Sequence, residues 1–224
     1  MPELHVLRVF CDSRWEFGNL LGVFLDGGEV SEERRQEVAA ELGFSETVFV
    51  DDAAGGRIRI FTPGLELSFA GHPSVGTAWL LGKEREPVES LRPPAGEVAV
   101  RVDGGRTFVA ARPEWGPDWT LVQLADAMAV EEVAGPPGGE RLACIWAWVD
   151  EGEGTVRVRC FSLDDGVGED EATGSAAICL AAALARDIEI LQGRGSRLDA
   201  RHLGEGRAEV GGRVVLDEVR EFPL

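Results

Sequence analysis

Phe69-Ala70-Gly71-His72-Pro73-Ser74-Val75-Gly76-Thr77-Ala78 joins a strand-like run to a stretch with almost no charge, and a counterpart stands in the second half of the chain: Gly168-Glu169-Asp170-Glu171-Ala172-Thr173-Gly174-Ser175-Ala176-Ala177. Strand-like residues precede each (57–62 and 65–69, then 155–162), and an apolar stretch suited to a buried helix follows each. Pro73 sits where a first-turn proline is tolerated, and the lack of charge over 75–81 predicts a helix buried on most sides. A helix start presents unpaired backbone N–H groups and a positive dipole end, which makes it a ready site for an anion. Two such starts predict a duplicated fold that grips a small acidic molecule between its halves.

The flanking pattern supports this plan. Residues 4–11 and 20–25 read as paired strands, followed by a helix with Ser31 as N-cap, Glu32 and Glu33 in its first turn and Gly43 as its stop. Strands are predicted at 46–50, 57–62 and 65–69, and again at 97–102 and 107–111 around the turn Asp103-Gly104-Gly105. The break Arg112-Pro113-Glu114-Trp115-Gly116-Pro117 divides the chain into lobes of residues 1–113 and 114–224, with the last strand free to return to the first lobe. The second lobe repeats the plan: a short helix over 124–129, strands at 144–149 and 155–161, and a neutral helix over 172–185. It closes with strands at 197–202, 208–210 and 213–219, Gly211-Gly212 reading as a hairpin. Antiparallel strands around one buried helix, built twice, give an α+β fold of two similar lobes.

Composition narrows the function. With 224 residues, 44% of them hydrophobic, the chain can bury a real core. A net charge of −18 argues against nucleic acid and anionic membrane surfaces as partners, since both would repel it. It does not forbid an anionic ligand, because local N–H dipoles outweigh a distant, screened field. No stretch approaches the roughly 18 apolar residues of a membrane helix, and Met1-Pro2-Glu3-Leu4-His5 opens no signal-peptide pattern. Cys11, Cys144, Cys160 and Cys179 are scattered without metal-ligand spacing and read as free thiols, so a cytoplasmic protein is expected. Tyrosine is absent, and His5, His72 and His202 fall in unrelated segments, so neither tyrosyl chemistry nor a metal site is expected.

The candidate residues each carry two readings. Glu46 opens an apolar strand; it is either a solvated strand-end carboxylate or a partly buried general acid–base. His72 caps a helix through the backbone or contacts a ligand. Asp170 is a helix-start acid favoured by the dipole, or it accepts a bond from a substrate amine or hydroxyl. Thr173-Gly174-Ser175 makes a tight helix entry or offers two N–H groups and a hydroxyl to a carboxylate, and Gly18-Asn19 taken alone is an ordinary turn. Serine-hydrolase and phosphate-loop motifs are missing.

Together these segments resemble the PhzF-like family of phenazine-biosynthesis isomerases, whose fold is that of diaminopimelate epimerase. The resemblance is carried by Val9-Phe10, Phe17-Gly18-Asn19, Ser45-Glu46-Thr47-Val48-Phe49, Ile58-Arg59-Ile60-Phe61-Thr62-Pro63, the segment 69–78, the segment 169–176 and, more faintly, Gln192-Gly193-Arg194-Gly195-Ser196. It implies two lobes, each a curved sheet around a central helix, an active site in the cleft between them, a homodimer, and no metal or organic cofactor. By this resemblance Glu46 shuttles a proton between substrate carbons, with His72 and Asp170 beside it. Asn19, Gly71, Ser74, Gly174 and Ser175 fall at substrate-binding positions, the N–H groups of Gly71, Gly174 and Ser175 meeting the substrate carboxylate.

The sequence also departs from the family. Leu20 replaces the proline that usually follows Gly-Asn, and Glu171 replaces the proline between Asp170 and Ala172, adding a charge that would alter which anion fits. Phe161-Ser162-Leu163 stands for the usual Phe-Ala-Pro, and the second half is shorter than in most members, which would open the cleft. No cysteine lies at either helix start, so two-thiol racemisation is not expected. The expectation is a cofactor-independent isomerase acting on a small carboxylate-bearing metabolite. The alternative is a non-catalytic carboxylate-binding protein on the same fold, which would have no use for Glu46 as an acid–base group.

Overall fold

The computed structural model describes residues 1–163 and 168–223. The first half contains β1 (Glu3–Cys11), β2 (Asn19–Phe24), α1 (Glu32–Leu42), β3 (Glu46–Asp52), β4 (Arg57–Phe61), β5 (Glu66–Leu67), α2 (Gly71–Glu84), β6 (Ser90–Leu91), β7 (Val98–Asp103) and β8 (Arg106–Ala111). The second contains β9 (Thr120–Gln123), α3 (Ala127–Glu131), β10 (Leu142–Asp150), β11 (Thr155–Ser162), β12 (Gly168–Asp170), α4 (Gly174–Leu184), β13 (Ile188–Gln192), β14 (Ser196–Gly204) and β15 (Arg207–Glu221).

Strand pairing exposes the duplication that the letters hide. In the first half β2 runs parallel to β3 across α1, β3 and β4 are antiparallel, and β4 pairs β5 just before α2. In the second half β9 runs parallel to β10 across α3, β10 and β11 are antiparallel, and β11 pairs β12 just before α4. The core repeats as well. Val38 of α1 packs with Phe24, Phe49 and Phe61, and Val130 of α3 with Ala143, Ile145 and Phe161.

Each neutral helix lies against its own part of the sheet, α2 on β1, β8 and β15, and α4 on β14 and β15. Ten of the fourteen residues of α2 are buried, as its lack of charge requires. Helix α1 ends at Gly43 in the left-handed region, φ 65°, as its sequence predicts.

The carboxyl-terminal strands differ from the sequence expectation. Gly211-Gly212 is no hairpin but the middle of β15, and the turn falls instead at Gly204-Glu205-Gly206. Along residues 207–212 β15 lies between β14 and β8, and beyond Arg213 it pairs β1, so one strand joins the sheets of both lobes. The two glycines are packing residues: a Cβ at 211 would run into the Phe108 ring, and one at 212 would stand 2.8 Å from Phe10. Helix α3 starts three residues later than the sequence indicates it should, because Asp126 accepts from the Ala129 N–H as its cap. Helix α4 starts at Gly174, which leaves Asp170 at the end of a strand instead of in a first helical turn. Strand β13 has no counterpart in the sequence reading.

Candidate active site

The starts of α2 and α4 meet backbone to backbone. A Cβ on Gly71 would lie 2.8 Å from the Cα of Gly174, and one on Gly174 would lie 2.8 Å from the His72 nitrogen. Only glycine lets the two chains approach this closely. The juxtaposition puts two positive dipole ends and two first turns of donor N–H groups in one place.

Glu46 is the first residue of β3, held beside Leu21 of β2 by the parallel register. Its side chain is 16% exposed, against 3% for His72, and its Oε2 lies 3.3 Å from His72 Nδ1. The other ring nitrogen, Nε2, is 3.4 Å from the Leu20 carbonyl. A carbonyl only accepts, so Nε2 carries a proton there. Burial pulls the His72 pKa down to about 4, with Asp170 and the Leu20 carbonyl opposing the shift. The imidazole is therefore neutral near pH 7 and turns Nδ1 toward the Glu46 carboxyl group. His72 thus bonds backbone on a neighbouring strand and not as a helix cap, and it faces the candidate acid–base.

Asp170 sits where β12 gives way to the approach to α4. Its Oδ1 accepts from Asn19 Nδ2 at 2.7 Å and its Oδ2 from the Thr173 hydroxyl at 2.7 Å. Gln192 Nε2 donates to the same hydroxyl oxygen and to the Asp170 carbonyl. Asn19 also donates to the Ala172 carbonyl and accepts from the Ser45 hydroxyl, so this chain of bonds crosses from one lobe to the other. Burial and the nearby Glu46 raise the Asp170 pKa to about 6, while His72, Thr173 and Asn19 hold it down. Asp170 with its raised pKa and Glu46 thus share one pocket, with a neutral histidine behind Glu46, an arrangement suited to moving protons.

Glu46, Asp170 and Ser175 line a cavity of about 50 Å³ together with Ser45, Thr62 and Thr173. Its apolar wall includes Leu67, Phe69, Pro117 and Trp119. A space of this size holds roughly three to five waters, or an acetate-sized fragment. A wider surface hollow of about 630 Å³ runs along Pro87 and Arg92. Its Arg92 is engaged with Glu97 across 3.6 Å, and it brings none of the groups above together.

The structure does not bring every sequence candidate to the cavity. Ser74 is fully buried and its hydroxyl donates to the Ala70 carbonyl at 2.7 Å, one turn back on its own helix. Glu171 does not join the anion end of the cleft as expected. Its Oε1 accepts from the Arg194 N–H and the Ser196 hydroxyl, while Ser196 Oγ accepts from the Gly18 N–H. The added carboxylate ties the lobes together instead. Pro117 and Trp119, from the second half, line the cavity. Trp119 and Gln192 were not singled out as site residues from sequence; Gln192 begins the faint Gln-Gly-Arg-Gly-Ser match, but Trp119 belongs to no motif. Among the described residues no three His, Cys, Asp or Glu side chains cluster to hold a metal, and no helix is long and apolar enough to cross a membrane.

The sequence pattern of the phenazine biosynthesis-like protein family matches residues 7–112. Trans-2,3-dihydro-3-hydroxyanthranilate isomerase of Pseudomonas chlororaphis is 34% identical over 260 residues, covering 93% of this chain and 92% of that protein. A Bacillus anthracis phenazine biosynthesis protein of the PhzF family superposes with a TM-score of 0.82 at 21% identity, covering 100% of this chain and 99% of the other. A Pseudomonas aeruginosa protein described as an epimerase superposes with a TM-score of 0.72 at 27% identity, covering 99% of each chain. The fold is the one shared by PhzF proteins and epimerases.

Proposed function

This chain belongs to the phenazine biosynthesis-like family, and we propose that it is an isomerase that moves a proton between carbons of a small carboxylate-bearing metabolite, with Glu46 as the acid–base group. The observation that carries this reading is the placement of Glu46, 3.3 Å from a buried neutral His72 and within the same cavity as Asp170, at the junction of two helix starts.

The residues divide the work. The Ser175 hydroxyl and the N–H groups of Gly174 and Ser175 receive the substrate carboxylate, where the dipole of α4 favours negative charge. Glu46 then takes a proton from one substrate carbon and returns it at another. Charge that builds on the substrate between the two transfers is met by the paired dipole ends of α2 and α4, fixed in advance by the contact of Gly71 with Gly174. His72 presents its Nδ1 to Glu46 and keeps the carboxyl oriented, and Asp170 accepts a bond from a substrate amine or hydroxyl. No cofactor is called for by these steps. The name of the Pseudomonas relatives supplies trans-2,3-dihydro-3-hydroxyanthranilate as the first compound to try.

Deuterium uptake at carbon, followed by NMR in heavy water, tests the reading. A panel containing that compound and other cyclic and linear amino and hydroxy acids is incubated with the protein and with its Glu46→Gln variant. The expected result is uptake by the wild type that drops by about 10²- to 10⁴-fold in the variant, the usual contribution of a general acid–base. Uptake that is equal in both proteins rules out Glu46 as the shuttle. Binding of acids with no uptake in either favours the carboxylate-binding alternative.

A further inference from the structure

Trp119 takes no part in the proton transfer described above, yet its indole Nε1 donates to the Ser175 hydroxyl oxygen at 3.0 Å. We propose that Trp119 is a positioning and specificity-determining residue: it commits the Ser175 hydroxyl as a donor to the substrate carboxylate, and its ring limits the size of the acid the cleft admits. This rests on the reading that Ser175 holds the carboxylate.

An indole N–H can only donate, so it occupies a lone pair of Ser175 Oγ and leaves the hydroxyl's own proton for another acceptor. A hydroxyl that accepts one bond is polarised toward donating the next. Ser175 is the second residue of α4, so the proton it offers adds to the donor N–H groups of the first turn. An acid bound there meets a set of donors fixed in advance.

The segment that leads to the indole is held from both lobes. Gly116 lies so close to Ser175 that a Cβ on it would stand 3.0 Å from the serine Cβ. The Trp115 ring meets Phe69 edge-on at 6.1 Å between centroids, and the Trp115 carbonyl accepts from the Ser68 hydroxyl at 3.4 Å. Residues 115–119 therefore run as a strap from the approach to α2 across to the start of α4. Trp119, 9% exposed, is the largest side chain of the cavity wall, and the free space it leaves is only about 50 Å³.

The test uses the whole chain and three acids of rising size: acetate, benzoate and 1-naphthoate. Their binding is measured by isothermal titration calorimetry in the wild type and in Trp119→Phe, Trp119→Leu and Ser175→Ala. Phenylalanine keeps a ring and loses the N–H. It is expected to weaken acetate by about five- to tenfold, the value of one hydrogen bond, while the order of the three acids stays as in the wild type. On a compound the wild type turns over, the same variant raises KM by that factor and moves kcat by less than about twofold, because the carboxylate is held equally in ground and transition states. Leucine is expected to shift the naphthoate-to-acetate affinity ratio upward by at least about tenfold, as removed ring volume becomes space for the ligand. A Trp119→Phe protein that binds acetate like the wild type overturns the positioning role, and a Trp119→Leu protein with an unchanged ratio overturns the size limit. Ser175→Ala separates the underlying reading. If it binds acetate as tightly as the wild type, the carboxylate is not held at Ser175, and the fault lies there and not in Trp119.

Discussion

Replacing Asp170 with asparagine should make the protein more stable above pH 6 and slightly less stable near pH 4. The Asp170 pKa is raised from 3.8 to about 6 by burial and by Glu46. Between those values the folded protein still holds the proton while the unfolded chain has released it. Stability falls as pH rises wherever the folded state binds more protons, so Asp170 costs stability progressively through this window and fully above it. At 1.36 kcal/mol per pKa unit, a shift of about two units costs about 3 kcal/mol. Asparagine does not ionise and escapes that loss. It still accepts from Asn19 through Oδ1, but its amide confronts the Thr173 hydroxyl, which now donates to the carboxylate and accepts from Gln192. Losing that bond costs about 1 kcal/mol at every pH. The variant is thus expected to lie about 1 kcal/mol below the wild type at pH 4 and about 2 kcal/mol above it at pH 7. Urea unfolding of both proteins at intervals from pH 3.5 to 8 measures the difference, in which the other acidic residues, 40 in all with Asp170, largely cancel. A difference that stays level across this range, or slopes the other way, refutes the claim that Asp170 carries a raised pKa in this pocket.

His72 gives the opposite window. Its pKa is lowered to about 4, so below about pH 6.5 the unfolded chain takes up a proton that the folded protein refuses, and stability is lost as pH falls. The His72→Asn variant should therefore gain on the wild type by about 3 kcal/mol between pH 7 and pH 4, read from the same unfolding curves. Gly71→Ala places a Cβ 2.8 Å from the Gly174 backbone and is expected to lower stability by about 1–3 kcal/mol or to part the helix starts, with deuterium uptake falling at the same time. Glu171→Ala removes acceptors from Arg194 and Ser196; a loss of about 1–2 kcal/mol is expected, with the acid preference of the cleft unchanged, which a thermal melt and the same acid panel together would show.

Much of the site was legible because its chemistry is local in the chain. Gly71-His72 and Asp170 to Ser175 each fall within a few consecutive residues, and the low charge that follows each announces a helix that must be buried. Glu46 was visible as an acid opening an apolar strand. Asn19 was the weakest candidate from sequence, since Gly-Asn is an ordinary turn, yet it bonds Asp170 from across the cleft. Ser74 looked equal to its neighbours, but helical geometry turns its hydroxyl onto the Ala70 carbonyl. The charge of Glu171 was evident, while its direction was set by Arg194 and Ser196, which lie more than twenty positions further along the chain.

The amino-acid order by itself determined the two neutral helices, the strands around most of the core, the low charge along those helices and the identity of the acid–base candidates. These follow from hydrophobic period, glycine and proline placement and side-chain chemistry, which act between near neighbours in the chain. Only the tertiary structure decided that α2 and α4 meet at Gly71 and Gly174, that β15 passes straight through Gly211-Gly212 to join both lobes, and that Trp119 closes the cavity onto Ser175. Each of these depends on close approach between residues far apart in sequence, and close packing is a property of the assembled molecule that no local pattern records.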